Sequence, residues 1–355
     1  MTKLFSAYQL GPLGLANRVV MAPMTRNRAT GNIPNDLMVT YYSQRAGTGL
    51  IVTEGVAPNA DGLGYSRIPG CFSAAQAKGW ARVPPAVHQQ GARIFMQLMH
   101  TGRASHPLNL PEGARAVAPS ALVLDGKIWT DQAQMQDYPV PVAMTQADID
   151  HAAQSYVDSA KLAISAGFDG VELHGANGYL IDQFLNPASN QRADVYGGSV
   201  QNRNKFAVDV ARAVVQAVGG DKVGIRFSPY GVFNGMAIHP ELDAQFEQLA
   251  QQMQEIGLAY IHLVDHSSMG APVVPAVVKE AIRKAFSGTL ILSGGYDAAR
   301  AEADLQAGRA DLVAFGRPFI SNPTLVAKLQ SGSDLIPPDF STFYTPGEKG
   351  YTDYL

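Results

Sequence analysis

Eight short apolar runs of strand length alternate along this chain with segments of helical spacing, and this alternation constrains the fold more than any other feature. The runs lie at 18–24, 49–55, 92–100, 171–173, 222–229, 260–264, 289–293 and 312–315. Between them, helical patterns occupy 36–46, 74–89, 145–166, 199–218, 243–256, 274–286 and 298–307. Strands joined by helices run parallel, since parallel neighbours need a crossover of a dozen or more residues. Eight such units in 355 residues predict a single (β/α)8 TIM barrel spanning 1–355, whereas a doubly wound sheet needs fewer strands and a different ligand turn. A short hairpin over 10–17 is expected to cap the barrel floor. Periodicity fails after the third strand, where scattered prolines predict a capping insertion at about 105–144.

Composition narrows the function. With 46% hydrophobic residues and 16% charged, the chain can bury one large core. A net charge of -3 without any Lys/Arg run argues against nucleic acid or an anionic membrane as partner, which leaves a small molecule. No stretch approaches the ~20 consecutive apolar residues of a membrane span, and the N-terminus lacks a signal-peptide core, so a cytoplasmic protein is expected. Cys71 is the single cysteine, which excludes an intrachain disulfide, a zinc site of thiolates and an iron-sulfur cluster.

In a barrel of this kind the chemistry sits at the C-terminal ends of the strands. The fourth strand runs into Leu173-His174-Gly175-Ala176-Asn177-Gly178-Tyr179, a Gly-punctuated turn with two neutral hydrogen-bond donors and one phenolic acid. Such a set suits a carbonyl that gains electrons, although His174 and Asn177 at a strand end could also simply satisfy buried backbone groups. The other ends carry Pro23-Met24-Thr25, Glu54-Gly55, Gln97 to His100, Arg226, Gly294-Gly295 and Gly316-Arg317. Glycines after the last two strands suit a phosphate, because bare backbone N–H groups must approach the anion closely. Arg226, a charge inside an apolar strand, calls for a partner. Gln97 matches an imide edge and the Thr25 hydroxyl a carbonyl oxygen. Flavin mononucleotide fits every member of this set.

The motifs Asn17-Arg18-Val19-Val20-Met21-Ala22-Pro23-Met24-Thr25-Arg26, Gln97-Leu98-Met99-His100-Thr101-Gly102-Arg103, His174-Gly175-Ala176-Asn177-Gly178-Tyr179-Leu180, Ser189-Asn190-Gln191-Arg192 and Gly350-Tyr351-Thr352-Asp353-Tyr354 occur in order over nearly the whole chain. In these motifs the chain resembles the old yellow enzyme family of FMN-dependent ene reductases, in the branch of the N-ethylmaleimide and pentaerythritol tetranitrate reductases. The resemblance implies that NADPH or NADH reduces bound FMN, which then reduces electrophilic alkenes or nitro compounds. It assigns His174 and Asn177 to the substrate oxygen and Tyr179 to proton delivery. It assigns Pro23, Met24, Thr25, Gly55, Gln97, Arg226, Gly294, Gly295, Gly316 and Arg317 to the flavin, and Tyr65, Met99 and Tyr344 to the substrate pocket. Met99 stands where this branch commonly has Trp. A monomer or homodimer without metal is expected. A metallohydrolase using His100, His174, His262 or His266 is disfavoured because His262 lies within its strand, and a Schiff-base aldolase because Lys222 begins its strand. The same residues also suit a non-catalytic flavin- or steroid-binding protein.

Overall fold

The computed structural model describes residues 2–354. Its centre is a closed barrel of eight parallel strands, β1 Val19–Met21, β2 Leu50–Val56, β3 Arg93–Leu98, β4 Gly170–Gly175, β5 Val223–Phe227, β6 Tyr260–Val264, β7 Thr289–Ser293 and β8 Leu312–Phe315. Each strand pairs with its sequence neighbours, and the ladder between Val313 and Val19 closes β8 onto β1. Helices wrap the outside, among them Asp36–Gln44, Gln146–Ser165, Val200–Val218, Leu242–Ile256, Ala276–Ala285 and Ala298–Gln306. The long helix before β4 starts on a reciprocal cap, in which Thr145 Oγ1 accepts from the Asp148 N–H and the Asp148 carboxylate accepts from the Thr145 N–H.

Alternation along the strands divides the core in two, because successive side chains point to opposite faces. Val171, Leu173, Ile225, Ile261, Leu290 and Val313 join the layer between strands and helices. The intervening Val20, Leu50, Val52, Phe95, Tyr260, Ile291 and Leu312 fill the barrel, and Leu10 and Leu15 of the Tyr8–Leu10/Leu13–Leu15 hairpin plug its floor. Toward the C-terminal strand ends this inner series turns polar, through Gln97, Glu172, His174, Arg226, His262 and Ser293, all buried.

Some boundaries differ from the sequence expectation for local reasons. The single helix expected over 74–89 is two, Ala74–Trp80 and Val83–His88, because Pro84 and Pro85 cannot donate the bonds a continuous helix needs and instead start the second one. The first strand ends at Met21 rather than 24. The 105–144 segment carries two small sheets, a parallel pair Val117–Ala118 with Val142–Ala143 and a hairpin Lys127–Thr130 with Gln134–Asp137. No helix among the described residues is long and apolar enough to cross a membrane.

Candidate active site

A cavity of about 640 Å3 opens at the C-terminal end of the barrel. Pro23, Met24, Thr25, Gln97, Met99, His174, Asn177, Tyr179, Arg226, Gly294, Gly295, Gly316, Arg317 and Tyr344 all line it. Two residues expected there do not. Gly55 lies under Met99, where an added Cβ would stand 2.4 Å from Sδ, so its missing side chain makes room for the thioether. Tyr65 sits behind Tyr179, with the two hydroxyls 3.2 Å apart and the rings edge to face.

The fourth-strand turn is held from several sides. Asn177 adopts a left-handed backbone (φ 61°), its N–H donates to Ser228 Oγ at 2.8 Å, and its carbonyl accepts from Asn234 Nδ2 at 2.8 Å. Gly178 (φ 71°) must lack a side chain, since a Cβ would stand 2.6 Å from the Phe233 carbonyl. Its N–H donates to Asp182 Oδ2 at 2.8 Å. Burial pushes the Asp182 carboxyl up to about 7. The His174 ring lies 5.0 Å from the Tyr179 ring, and its Nδ1 is buried without a partner among the described residues. Burial, with Arg226 nearby, drives the His174 pKa well below the usual histidine range, so the ring is neutral at pH 7. Burial pushes the Tyr179 phenol up to about 12, which keeps its proton in place.

Beneath the cavity floor lies a polar layer of which Gln97 and Arg226 were expected members and Glu172 was not. Glu172 is fully buried. Its Oε1 accepts from Gln97 Nε2 at 2.8 Å, and its Oε2 from the Tyr260 hydroxyl at 3.0 Å and His262 Nδ1 at 2.9 Å. Burial alone would raise its pKa, but His262, Arg226 and Gln97 outweigh that and hold the carboxyl below the ordinary glutamate range. The Gln97 amide is thereby oriented, with one N–H committed downward.

Arg226 is only 6% exposed, yet none of its guanidinium nitrogens bonds to a described residue, and its Nε is buried. A buried guanidinium without acceptors is costly unless a ligand supplies them. Elsewhere on the cavity wall, just after β7 and β8, the N–H groups of Gly294, Gly295 and Gly316 likewise have no acceptor among the described residues. Gly294 (φ 117°) could bear no Cβ, which would fall 1.8 Å from the Asp265 carbonyl. Arg317 lies exposed beside these turns with its guanidinium over Phe340. Acceptor-seeking groups contributed to one cavity by β5 and by the turns after β7 and β8 fit an anionic, polar-edged cofactor such as FMN.

Arg26 and Arg28, to which the sequence assigns no site role, are buried, at 0% and 2% exposure. Arg26 donates to the carbonyls of Phe343 (3.1 Å) and Gly350 (2.7 Å), and Arg28 to those of Phe343 (2.7 Å) and Thr342 (2.8 Å). Tyr351 stacks on Tyr41 with centroids 4.1 Å apart. The tail is thus strapped over the barrel mouth, and Phe340, Phe343 and Tyr344 join the cavity wall. His266, just beyond β6, also lines the cavity, with Nε2 2.6 Å from Asn177 Oδ1. Sequence reading considered it only as a metal ligand.

Residues 3–335 match the family model described as "NADH:flavin oxidoreductase / NADH oxidase family". The chain is 43% identical to chanoclavine-I aldehyde reductase of Penicillium roqueforti, covering 100% of this chain and 96% of that protein. It is 39% identical to a probable flavin mononucleotide-dependent alkene reductase of Leishmania infantum, covering 97% and 95%. Morphinone reductase, solved in complex with tetrahydroNAD, superposes with a TM-score of 0.94 at 41% identity, covering 100% of this chain and 98% of that one.

Proposed function

Because the chain belongs to the NADH:flavin oxidoreductase / NADH oxidase family, among its old yellow enzymes, we propose that it reduces the activated C=C bond of small α,β-unsaturated carbonyl or nitro compounds. It is an FMN-dependent oxidoreductase of the ene-reductase type whose electron donor is a reduced nicotinamide nucleotide. The chemistry the cofactor supplies when bound is hydride relay, from the nicotinamide to the β-carbon of the alkene.

The residues of the cavity divide that work. Thr25, Gln97 and Arg226 would hold the polar edge of the ring system, with the fixed Gln97 amide offering its oxygen to an imide N–H and Arg226 answering negative charge. Gly294, Gly295, Gly316 and Arg317 would hold the phosphate, and Pro23 and Met24 would wall the ring. His174 and Asn177 would donate to the substrate oxygen, where negative charge grows as the β-carbon is reduced. A neutral His174 serves this role by hydrogen bonding alone and keeps its own proton. Tyr179 would give its proton to the α-carbon, and the Tyr65 hydroxyl at 3.2 Å can turn to donate to the phenolate left behind. Met99 and Tyr344 would bound the substrate.

The observation that carries this reading is the convergence on one cavity of Asn177, the Tyr179 phenol, a neutral His174 and a buried Arg226, with His174 Nδ1 and Arg226 Nε unpartnered among the described residues. The test is an anaerobic titration of the purified yellow protein. NADPH should bleach the flavin, 2-cyclohexenone should restore it, and denaturation should release FMN. A protein that is bleached but never reoxidised by enones or nitroalkenes refutes the reading. NADPH is the reductant proposed over NADH, and the same bleaching rates measured with both decide it.

A further inference from the structure

Asn177 is contacted through its N–H, its carbonyl and its side-chain amide, and only the third contact decides what the residue can do. Ser228 and Asn234 hold the backbone. The side-chain Oδ1 lies 2.6 Å from His266 Nε2. A carboxamide has two opposite ends, an oxygen that accepts and an NH2 that donates, and nearly the same shape either way round. To steady an oxygen on which negative charge grows, Asn177 must present its NH2; with the amide turned over, two acceptors would face each other. The backbone bonds cannot choose between these states. The imidazole can, because a ring nitrogen bearing hydrogen is satisfied only by the amide oxygen.

The His266 ring is well placed to impose that choice. It stands edge-on to Phe233, with centroids 4.8 Å apart, in the short turn His266–Met269 that follows β6. Asp265, its neighbour, is engaged by Lys279 at 2.8 Å and by the Ser267 N–H at 3.0 Å. We propose that His266 is a positioning residue: its Nε2–H holds the Asn177 carbonyl and so points the Asn177 NH2 into the cavity toward the substrate oxygen. The proposal rests on the reading that Asn177 binds that oxygen.

The experiment is a titration of the FMN-loaded protein with para-chlorophenol, whose oxygen stands in for the substrate oxygen, followed through the visible flavin spectrum. That spectrum also reports whether each variant is folded around its cofactor. Asn177→Ala sets the scale of the loss. His266→Ala should weaken binding by about 5- to 10-fold, the worth of one neutral hydrogen bond. His266→Gln, which can still donate an N–H, should recover to within about 2-fold of wild type. The double variant should bind no more weakly than Asn177→Ala alone, because His266 then has nothing left to orient. Additive losses, or a Gln variant as weak as Ala, would overturn the proposal by showing that His266 meets the ligand itself or acts through its ring alone. Wild-type binding in His266→Ala would overturn it too. If Asn177→Ala binds like wild type, the reading beneath the proposal fails with it, and that result is distinct from the others.

Discussion

Replacing Arg226 by Met should make the flavin-free protein more stable and the flavin-loaded protein less so. The Arg226 side chain is 6% exposed, has no hydrogen-bond acceptor among the described residues, and keeps its charge against burial chiefly through Glu172. Burying one ion costs several kcal/mol, so an unbranched apolar chain of similar length should return about 1 to 3 kcal/mol to the apo fold. In a chain this long that corresponds to a rise in Tm of roughly 1 to 4 °C. Glu172 loses a positive neighbour but keeps Gln97, Tyr260 and His262 at 2.8, 3.0 and 2.9 Å, which limits the opposing cost. A hydrogen bond from a charged donor is worth about 1.5 to 3 kcal/mol, so the Kd for FMN should rise about 10- to 150-fold. At a free FMN concentration ~100 times the wild-type Kd, ligand stabilisation would drop from about 2.7 kcal/mol to about 0.4 kcal/mol for a 100-fold weaker site. The assays are thermal unfolding with and without FMN and a fluorescence-quenching titration of apoprotein. A variant whose apo form melts below wild type while its FMN affinity is unchanged would refute the argument, since Arg226 would then be a structural residue.

Three further outcomes follow from the same geometry. Tyr179→Phe should leave flavin bleaching by NADPH nearly unchanged yet slow reoxidation by 2-cyclohexenone by about 100-fold or more, while nitroalkenes, whose anions are stable enough to be protonated in solvent, should still reoxidise it; stopped-flow traces of the two half-reactions decide. Met99→Trp should change the enantiomer ratio or substrate range over a panel of substituted enones without loss of flavin, and an unchanged ratio would remove Met99 from the pocket argument. Asp182 is buried with its pKa raised to about 7, so the folded state binds its proton more tightly than the unfolded state does. Its stabilising contribution is complete below the unfolded value near 4 and is lost as pH rises to about 7, so Asp182→Asn should flatten that part of a Tm-versus-pH curve.

The barrel was legible because parallel strands buried on both faces read as apolar runs, and the helices between them carry their own period and caps. What those runs do not announce is which parity faces inward. Val171-Glu172-Leu173 looks like ordinary alternation with a solvent-facing glutamate, yet the apolar pair faces the helices and Glu172 the barrel interior, where every polar neighbour comes from another strand. The burial of Arg26 and Arg28 is hidden for a similar reason, since the tail carbonyls that receive them lie more than 300 positions away. His266 has no local pattern at all; only the closure of the barrel sets it against Asn177. The glycines after β7 and β8 and the His174-Asn177-Tyr179 turn could be found because a strand end followed by glycine is a local signal. Gly55 shows the limit of that rule, for its missing side chain serves Met99 and not the cavity.

The inner polar layer explains how a barrel can bury a charged Arg226 without hydrogen-bonding its guanidinium. A lone guanidinium in an apolar interior would drive the chain toward another packing, and a carboxylate bonded directly to it would remove the ligand site. Glu172 does neither. Its two oxygens are taken by Gln97, Tyr260 and His262, so it meets Arg226 only as a charge, while its geometry is spent on holding Gln97. His262, buried and driven toward its neutral form, donates through Nδ1 to Glu172 and has Ser293 Oγ 2.9 Å from Nε2, which links the layer to the strand that ends in Gly294-Gly295. The negative charge of Glu172 is therefore fixed by donors from β3 and β6, and the positive charge above it is balanced at a distance rather than quenched. That division lets one layer be satisfied without ligand and leaves the layer above it short of acceptors, the condition under which binding an anionic ring edge gains most.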